Sequence, residues 1–104
     1  MQAITEEALN QDHLLLYIHT PFCGTCQIAR SFLEKIESVH KQDIFYEMNA
    51  SLYPEFMQKN KIESVPCLMI KEGNEIKEKV YVFESIGNIY SYLVEYKPEL
   101  FTQS

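Results

Sequence analysis

Apolar positions along the chain fall alternately into short continuous runs and stretches with helical spacing. Leu14-Leu15-Leu16-Tyr17-Ile18 is a continuous apolar run, the pattern of a strand buried on both faces. From Cys23 to His40, Ile28, Ala29, Phe32, Leu33, Ile36 and Val39 recur at three- and four-residue spacing and predict one amphipathic helix. Ile44 to Met48 predicts a second core strand, and Tyr53 to Lys61 a short helix with Pro54 in its first turn. Cys67-Leu68-Met69-Ile70 and Val80-Tyr81-Val82-Phe83 predict two strands, joined as an antiparallel hairpin through Glu72-Gly73-Asn74. Ile86, Ile89, Tyr90, Leu93 and Val94 mark a last amphipathic helix. At the other end, Gln2 to Thr5 predicts a short edge strand and Glu6 to Gln11 a short helix. The alternation implies an α/β fold. Its central mixed sheet has a parallel βαβ part and an antiparallel hairpin, with helices on both faces.

Composition narrows the class. The 104 residues, 46% hydrophobic, fit one domain over 1–104 with enough apolar surface to fold without staples. The three cysteines are an odd, sparse set, unlike the even frameworks of small secreted domains. Met1 to Glu7 offers neither a basic segment nor an apolar one, so no signal peptide is expected. No apolar run approaches the ~18 residues of a membrane span. The expected compartment is the cytoplasm, where a CxxC is catalytic or metal-binding more often than structural. A net charge of −6 without a basic cluster argues against nucleic acid and against an anionic membrane surface.

The candidate chemistry lies in Cys23-Gly24-Thr25-Cys26, between the central strand and the long helix. Ligands and chemistry commonly occupy the carboxyl ends of strands in open α/β sheets. A thiolate, not a thiol, attacks a disulfide, and the unpaired N–H groups and partial positive charge of a helix N-terminus favour the thiolate. Cys23 is therefore the predicted nucleophile. Cys26, one turn later on the same side, is the predicted buried resolving thiol. Gly24 leaves the first sulfur accessible.

Two other functional classes are weighed against this one. Cys23 and Cys26 are also the C-x₂-C half of a zinc site, which Cys67 and His19 would have to complete, or ligands of a metal cluster. Structural zinc sites usually take two clustered ligand pairs, and here the third and fourth ligands are unpaired in sequence. A non-catalytic interaction domain would need neither cysteine. Cys67 itself reads as a small core residue, with a third redox thiol as the sharper alternative. His19, near the strand end, reads as a partly exposed residue, or as a group tuning the cysteine. His13 and His40 read as element-end residues, and Tyr90, Tyr92 and Tyr96 as helix core and surface.

The chain resembles the thioredoxin family over nearly its whole length. Pro21-Phe22-Cys23-Gly24-Thr25-Cys26 carries the resemblance, together with Ile62-Glu63-Ser64-Val65-Pro66-Cys67-Leu68-Met69-Ile70 and the following Gly73 hairpin. The resemblance implies that Pro66 is the family's cis-proline. It brings the Val65 backbone beside the sulfurs to pair with an extended substrate, with Phe22, Gly24 and Thr25 completing the substrate contacts. It also implies disulfide substrates on proteins or small thiols, a reductase or thiol pool for recycling, no bound organic cofactor and a monomeric chain.

Several positions depart from the family pattern. Phe22 replaces a common Trp, and its ring is expected to shield the site. Thr25 replaces Pro, which implies a less strongly reducing couple. Val82 stands where a groove glycine is frequent. Tyr17 occupies the place of the buried acid that assists the resolving cysteine. Glu47, where Lys is frequent, is the candidate to replace that acid as proton acceptor for Cys26; the alternative is a solvent-facing strand glutamate.

Overall fold

In a computed structural model describing residues 1–102, β2 (His13–His19) is the middle strand of a five-stranded sheet ordered β1-β3-β2-β4-β5. β1 (Gln2–Ala3) and β3 (Tyr46–Asn49) run parallel to it, while β4 (Cys67–Glu72) is antiparallel to β2 and to β5 (Glu75–Val80). This is the expected mixed sheet.

Helices cover both faces, which explains the uninterrupted apolar run in β2. Leu15 and Tyr17 point to the face packed by α2 (Gly24–His40) and α4 (Ile86–Tyr96), through Ala29, Leu33, Ile36, Ile89 and Leu93. Leu14, Leu16 and Ile18 point to the other face, under Ala8 of α1 (Glu6–Leu9) and beside Phe56 and Met57 of α3 (Pro54–Lys59). Burial of each large apolar side chain contributes about 1.5–3 kcal/mol.

Several boundaries differ from the sequence expectation, each for a physical reason. The predicted strand Ile44–Met48 starts later, at Tyr46, because the N–H groups of Ile44 and Phe45 donate to the buried Glu37 carboxylate at 2.8 and 3.0 Å. The last strand is Glu75–Val80 rather than Val80–Phe83. Its charged residues sit at the sheet edge, and the apolar Tyr81-Val82-Phe83 leaves the ladder. The hairpin turns at Gly73, whose φ of 63° suits a residue without Cβ. α3 ends at Lys59, and Lys61 lies in the left-handed region with φ 55°. On α2, Ile28 and Val39 are exposed, and the buried stripe is Cys26, Ala29, Leu33, Ile36 and Glu37.

Candidate functional site

β2 delivers the chain to a tight turn, Thr20-Pro21-Phe22, and α2 begins directly behind it. Cys23 is the N-cap residue of α2. Its backbone is extended (φ −110°, ψ 108°), and its Sγ accepts the Cys26 N–H at 3.2 Å. A sulfur in that position occupies the place usually taken by a Ser, Thr or Asp oxygen, and it meets the positive end of the helix dipole. Cys23 and Cys26 are joined as a disulfide, with Cα atoms 5.2 Å apart. Cys23 is partly accessible and Cys26 is buried, which is the division of labour expected of an attacking and a resolving sulfur. The Thr25 hydroxyl lies 3.5 Å from the Cys23 sulfur.

An apolar groove opens beside this turn. α2 supplies Thr25 and Ile28 to it, the loop before β4 supplies Val65 and Pro66, and the segment after β5 supplies Tyr81, Val82 and Phe83. The Val65–Pro66 peptide is cis, as the resemblance implied. Thr25, Val65 and Pro66 are thus brought together, whereas Phe22 and Gly24 stand outside the groove. The Phe22 ring is fully exposed and its backbone is left-handed (φ 62°). It packs on nothing, so the expectation that it shields the sulfurs is corrected: the turn points the ring into solvent.

Beneath the motif lies a polar cluster on the same sheet face. Tyr17 is fully buried, and its hydroxyl donates to the Cys26 carbonyl. Its ring stacks on His19 at 5.3 Å, and the Arg30 guanidinium sits 5.4 Å from the ring centre. Arg30 donates to the Glu47 carboxylate at 2.6 Å, and His19 Nε2 lies 3.3 Å from the same oxygen. The register explains the grouping, because Tyr17 pairs with Glu47 across the parallel β2–β3 ladder. Burial pushes the Tyr17 phenol up to about 12. The Arg30 hydrogen bond holds the Glu47 carboxyl below its usual range, against the effect of burial. Burial, and then the Arg30 charge, lower His19.

These contacts correct the reading of Glu47 as proton acceptor. Among the described residues it makes no hydrogen bond to either cysteine. Its ion pair with Arg30 makes it a weaker base. Neither is it a solvent-facing glutamate: it is half-buried and clamped. His19 likewise serves the cluster rather than the sulfurs. Arg30 escaped the sequence reading. Its one signal was its place a helical turn after Cys26, on the side that faces the sheet.

Cys67 lies on the opposite face. It is fully buried among Ile18, Met48 and Met69, and burial pushes its thiol up to about 12. This is the core reading of Cys67, not the third redox thiol. It also separates the donors of the imagined zinc site. Cys67 is across the sheet from Cys26, and His19 is engaged with Glu47. Among the described residues no group of three or more His, Cys, Asp or Glu is arranged to hold a metal ion.

Comparison with known proteins agrees with this geometry. The family model described as Thioredoxin matches residues 2–94. The thioredoxin-like protein YusE of Bacillus subtilis is 38% identical over 82 residues, covering 79% of this chain and 77% of that protein. Thioredoxin-1 of Saccharomyces cerevisiae is 27% identical over 77 residues, covering 72% and 75%. Among solved structures, the thioredoxin Mala s 13 of Malassezia sympodialis superposes with a TM-score of 0.76 at 14% identity, over 92% of this chain and 90% of that one. Oxidised mitochondrial thioredoxin 3 of S. cerevisiae gives 0.74 at 13% identity, over 91% and 94%.

Proposed function

This chain belongs to the thioredoxin family and is a thiol–disulfide oxidoreductase; on that premise we propose that it reduces or exchanges disulfides of proteins or small thiols, with Cys23 as nucleophile and Cys26 as resolving thiol. The observation that carries the reading is the sulfur of Cys23 at the N-cap of α2, linked to a buried Cys26 within the first turn.

The reaction follows from that placement. The Cys23 thiolate attacks one sulfur of the substrate disulfide. A Cys23–substrate bond forms, and the other substrate sulfur leaves with the electron pair. Cys26 then gives up its proton and attacks the Cys23 sulfur. The mixed disulfide breaks, the second substrate thiolate departs, and the Cys23–Cys26 disulfide remains. Two electrons have passed to the substrate, so no organic cofactor is needed. A reductase or thiol pool restores the dithiol, which fits a thiol-reducing compartment such as the cytoplasm. Phe22, Gly24 and Thr25 border the attacking sulfur, and Val65 and Pro66 offer backbone to an extended substrate. Phe22 and Thr25 depart from the usual family residues, and that supports a couple less reducing than the about −270 mV of standard thioredoxin, with a more specialised activity.

The test is a redox titration beside insulin reduction, comparing the wild type with Cys23→Ser and Cys26→Ser. A reversible two-electron transition, lost in both variants, is expected. Its absence from the wild type would overturn the reading.

A further inference from the structure

Resting on the assignment of Cys23 as attacker and Cys26 as resolver, we propose that Tyr17 is a positioning residue for the resolving step: its buried hydroxyl holds the Cys26 peptide so that the second sulfur stays in reach of the first when the disulfide is open.

A buried phenol needs a partner for its O–H. Tyr17 is wholly buried in the central strand, and its partner is the carbonyl of the resolving cysteine. The other side-chain hydrogen bonds at the motif are internal to it, joining the Cys23 sulfur to the Cys26 N–H and the Thr25 hydroxyl. Among the described residues, Tyr17 alone reaches the Cys23–Cys26 turn through a side-chain hydrogen bond from another element. The ring has little freedom to move. His19 stacks on it and Arg30 covers it, while Glu47 holds Arg30 at 2.6 Å. Contacts from β2, β3 and α2 therefore fix the position of one oxygen. With its phenol raised by burial, Tyr17 keeps its proton throughout the neutral range and acts as a constant donor.

The consequence differs between the two redox forms. In the oxidised form the S–S bond itself closes the turn. In the dithiol and in the mixed disulfide that closure is gone, and the first turn of α2 is free to loosen. A donor anchored in the sheet limits this loosening. It raises the effective concentration of the Cys26 sulfur against the Cys23 sulfur. In the step itself, the Cys26 thiol loses its proton to water or a buffer base. Its sulfur bonds to Cys23, the Cys23–substrate bond breaks, and the substrate sulfur takes the electron pair and later a proton from water. Tyr17 exchanges no proton.

Tyr17→Phe in the full chain keeps the ring and removes the hydroxyl. Two measurements test it: the equilibrium of the Cys23/Cys26 pair with glutathione, and the rate at which Cys26 displaces glutathione from a Cys23 mixed disulfide. Both are expected to fall by about two- to tenfold, the worth of one hydrogen bond. Alkylation of reduced Cys23 by iodoacetamide is expected to proceed at the wild-type rate. In urea unfolding, the oxidised variant should lose more stability than the reduced one, by the same factor as the equilibrium change. Equal losses in both forms with an unmoved glutathione equilibrium would make the bond merely structural and overturn the proposal. A parallel slowing of Cys23 alkylation would also overturn it, by placing the effect on the nucleophile. A wild type without a reversible Cys23–Cys26 disulfide would overturn both this and the functional reading. A normal wild type beside an unchanged Tyr17→Phe would remove Tyr17 alone.

Discussion

Each face of the central sheet buries one cysteine, and the two have opposite chemistry. Cys26 lies on the α2–α4 side, one turn into a helix, against Cys23 and under the Tyr17 hydroxyl. Cys67 lies on the α1–α3 side, in a strand, among Ile18, Met48 and Met69. Both are shielded from water, so burial does not separate them. Their neighbours do. One meets a helix N-terminus and a polar cluster, while for the other desolvation outweighs the opposing Lys79 charge and Tyr81 hydrogen bond and leaves the thiol inert.

The sharpest way to break this comparison is to remove each sulfur in turn. Cys23→Ser should abolish insulin reduction, a loss of at least about a thousandfold, since the nucleophile is gone. Cys67→Ala should leave the rate and the redox equilibrium as in the wild type. Maleimide labelling of the reduced native protein should spare Cys67, at least about a hundredfold slower than Cys23, until urea unfolds the chain. Fast native labelling of Cys67 would erase the distinction between the faces.

Core truncation is the next largest effect. Leu33→Ala on the α2 side and Met69→Ala on the other should each cost about 2–5 kcal/mol in denaturant unfolding. The faces are equal as packing and differ only as chemistry.

The polar cluster gives smaller, pH-dependent effects. His19 has a lowered value in the fold, from burial and then from Arg30. As pH falls below about 6.5 the unfolded chain takes up its proton first, so stability declines from there toward the lower folded value. The slope due to His19 should stay under about 1.4 kcal/mol per pH unit and disappear in His19→Gln. Smallest is Glu47→Gln. Its ion pair with Arg30 is partly exposed on both sides, so the loss should be under about 1 kcal/mol. The pH midpoint of Cys26 attack should not move. A shifted midpoint would restore Glu47 as a base.

The α2–α4 side was also the harder one to read from sequence. The Val65–Pro66 segment before β4 was legible through the family resemblance, and the CxxC junction and the alternation of elements were legible because they rest on local spacing and turn chemistry. Cys67 was legible as core for the same reason, lying in a continuous apolar run. The apolar run Val80–Phe83 predicts a strand, but apolar content does not fix pairing. The true edge strand is the charged Glu75–Val80, whose charged side chains flank an unpaired edge. Glu37 was invisible as a core residue, since its burial depends on the N–H groups of Ile44 and Phe45 across a loop. The roles of Tyr17, Arg30 and Glu47 depend on which β3 residue stands opposite which β2 residue. No spacing within a single element encodes that register.

The most direct test of the account is a glutathione redox titration of the Cys23/Cys26 pair in the Cys67→Ala background, read by mass after thiol trapping. The expected result is one reversible two-electron transition with both sulfurs trapped together, unchanged by the loss of Cys67. A protein that forms only single mixed disulfides at Cys23, with no internal disulfide to Cys26 at any poise, would contradict it.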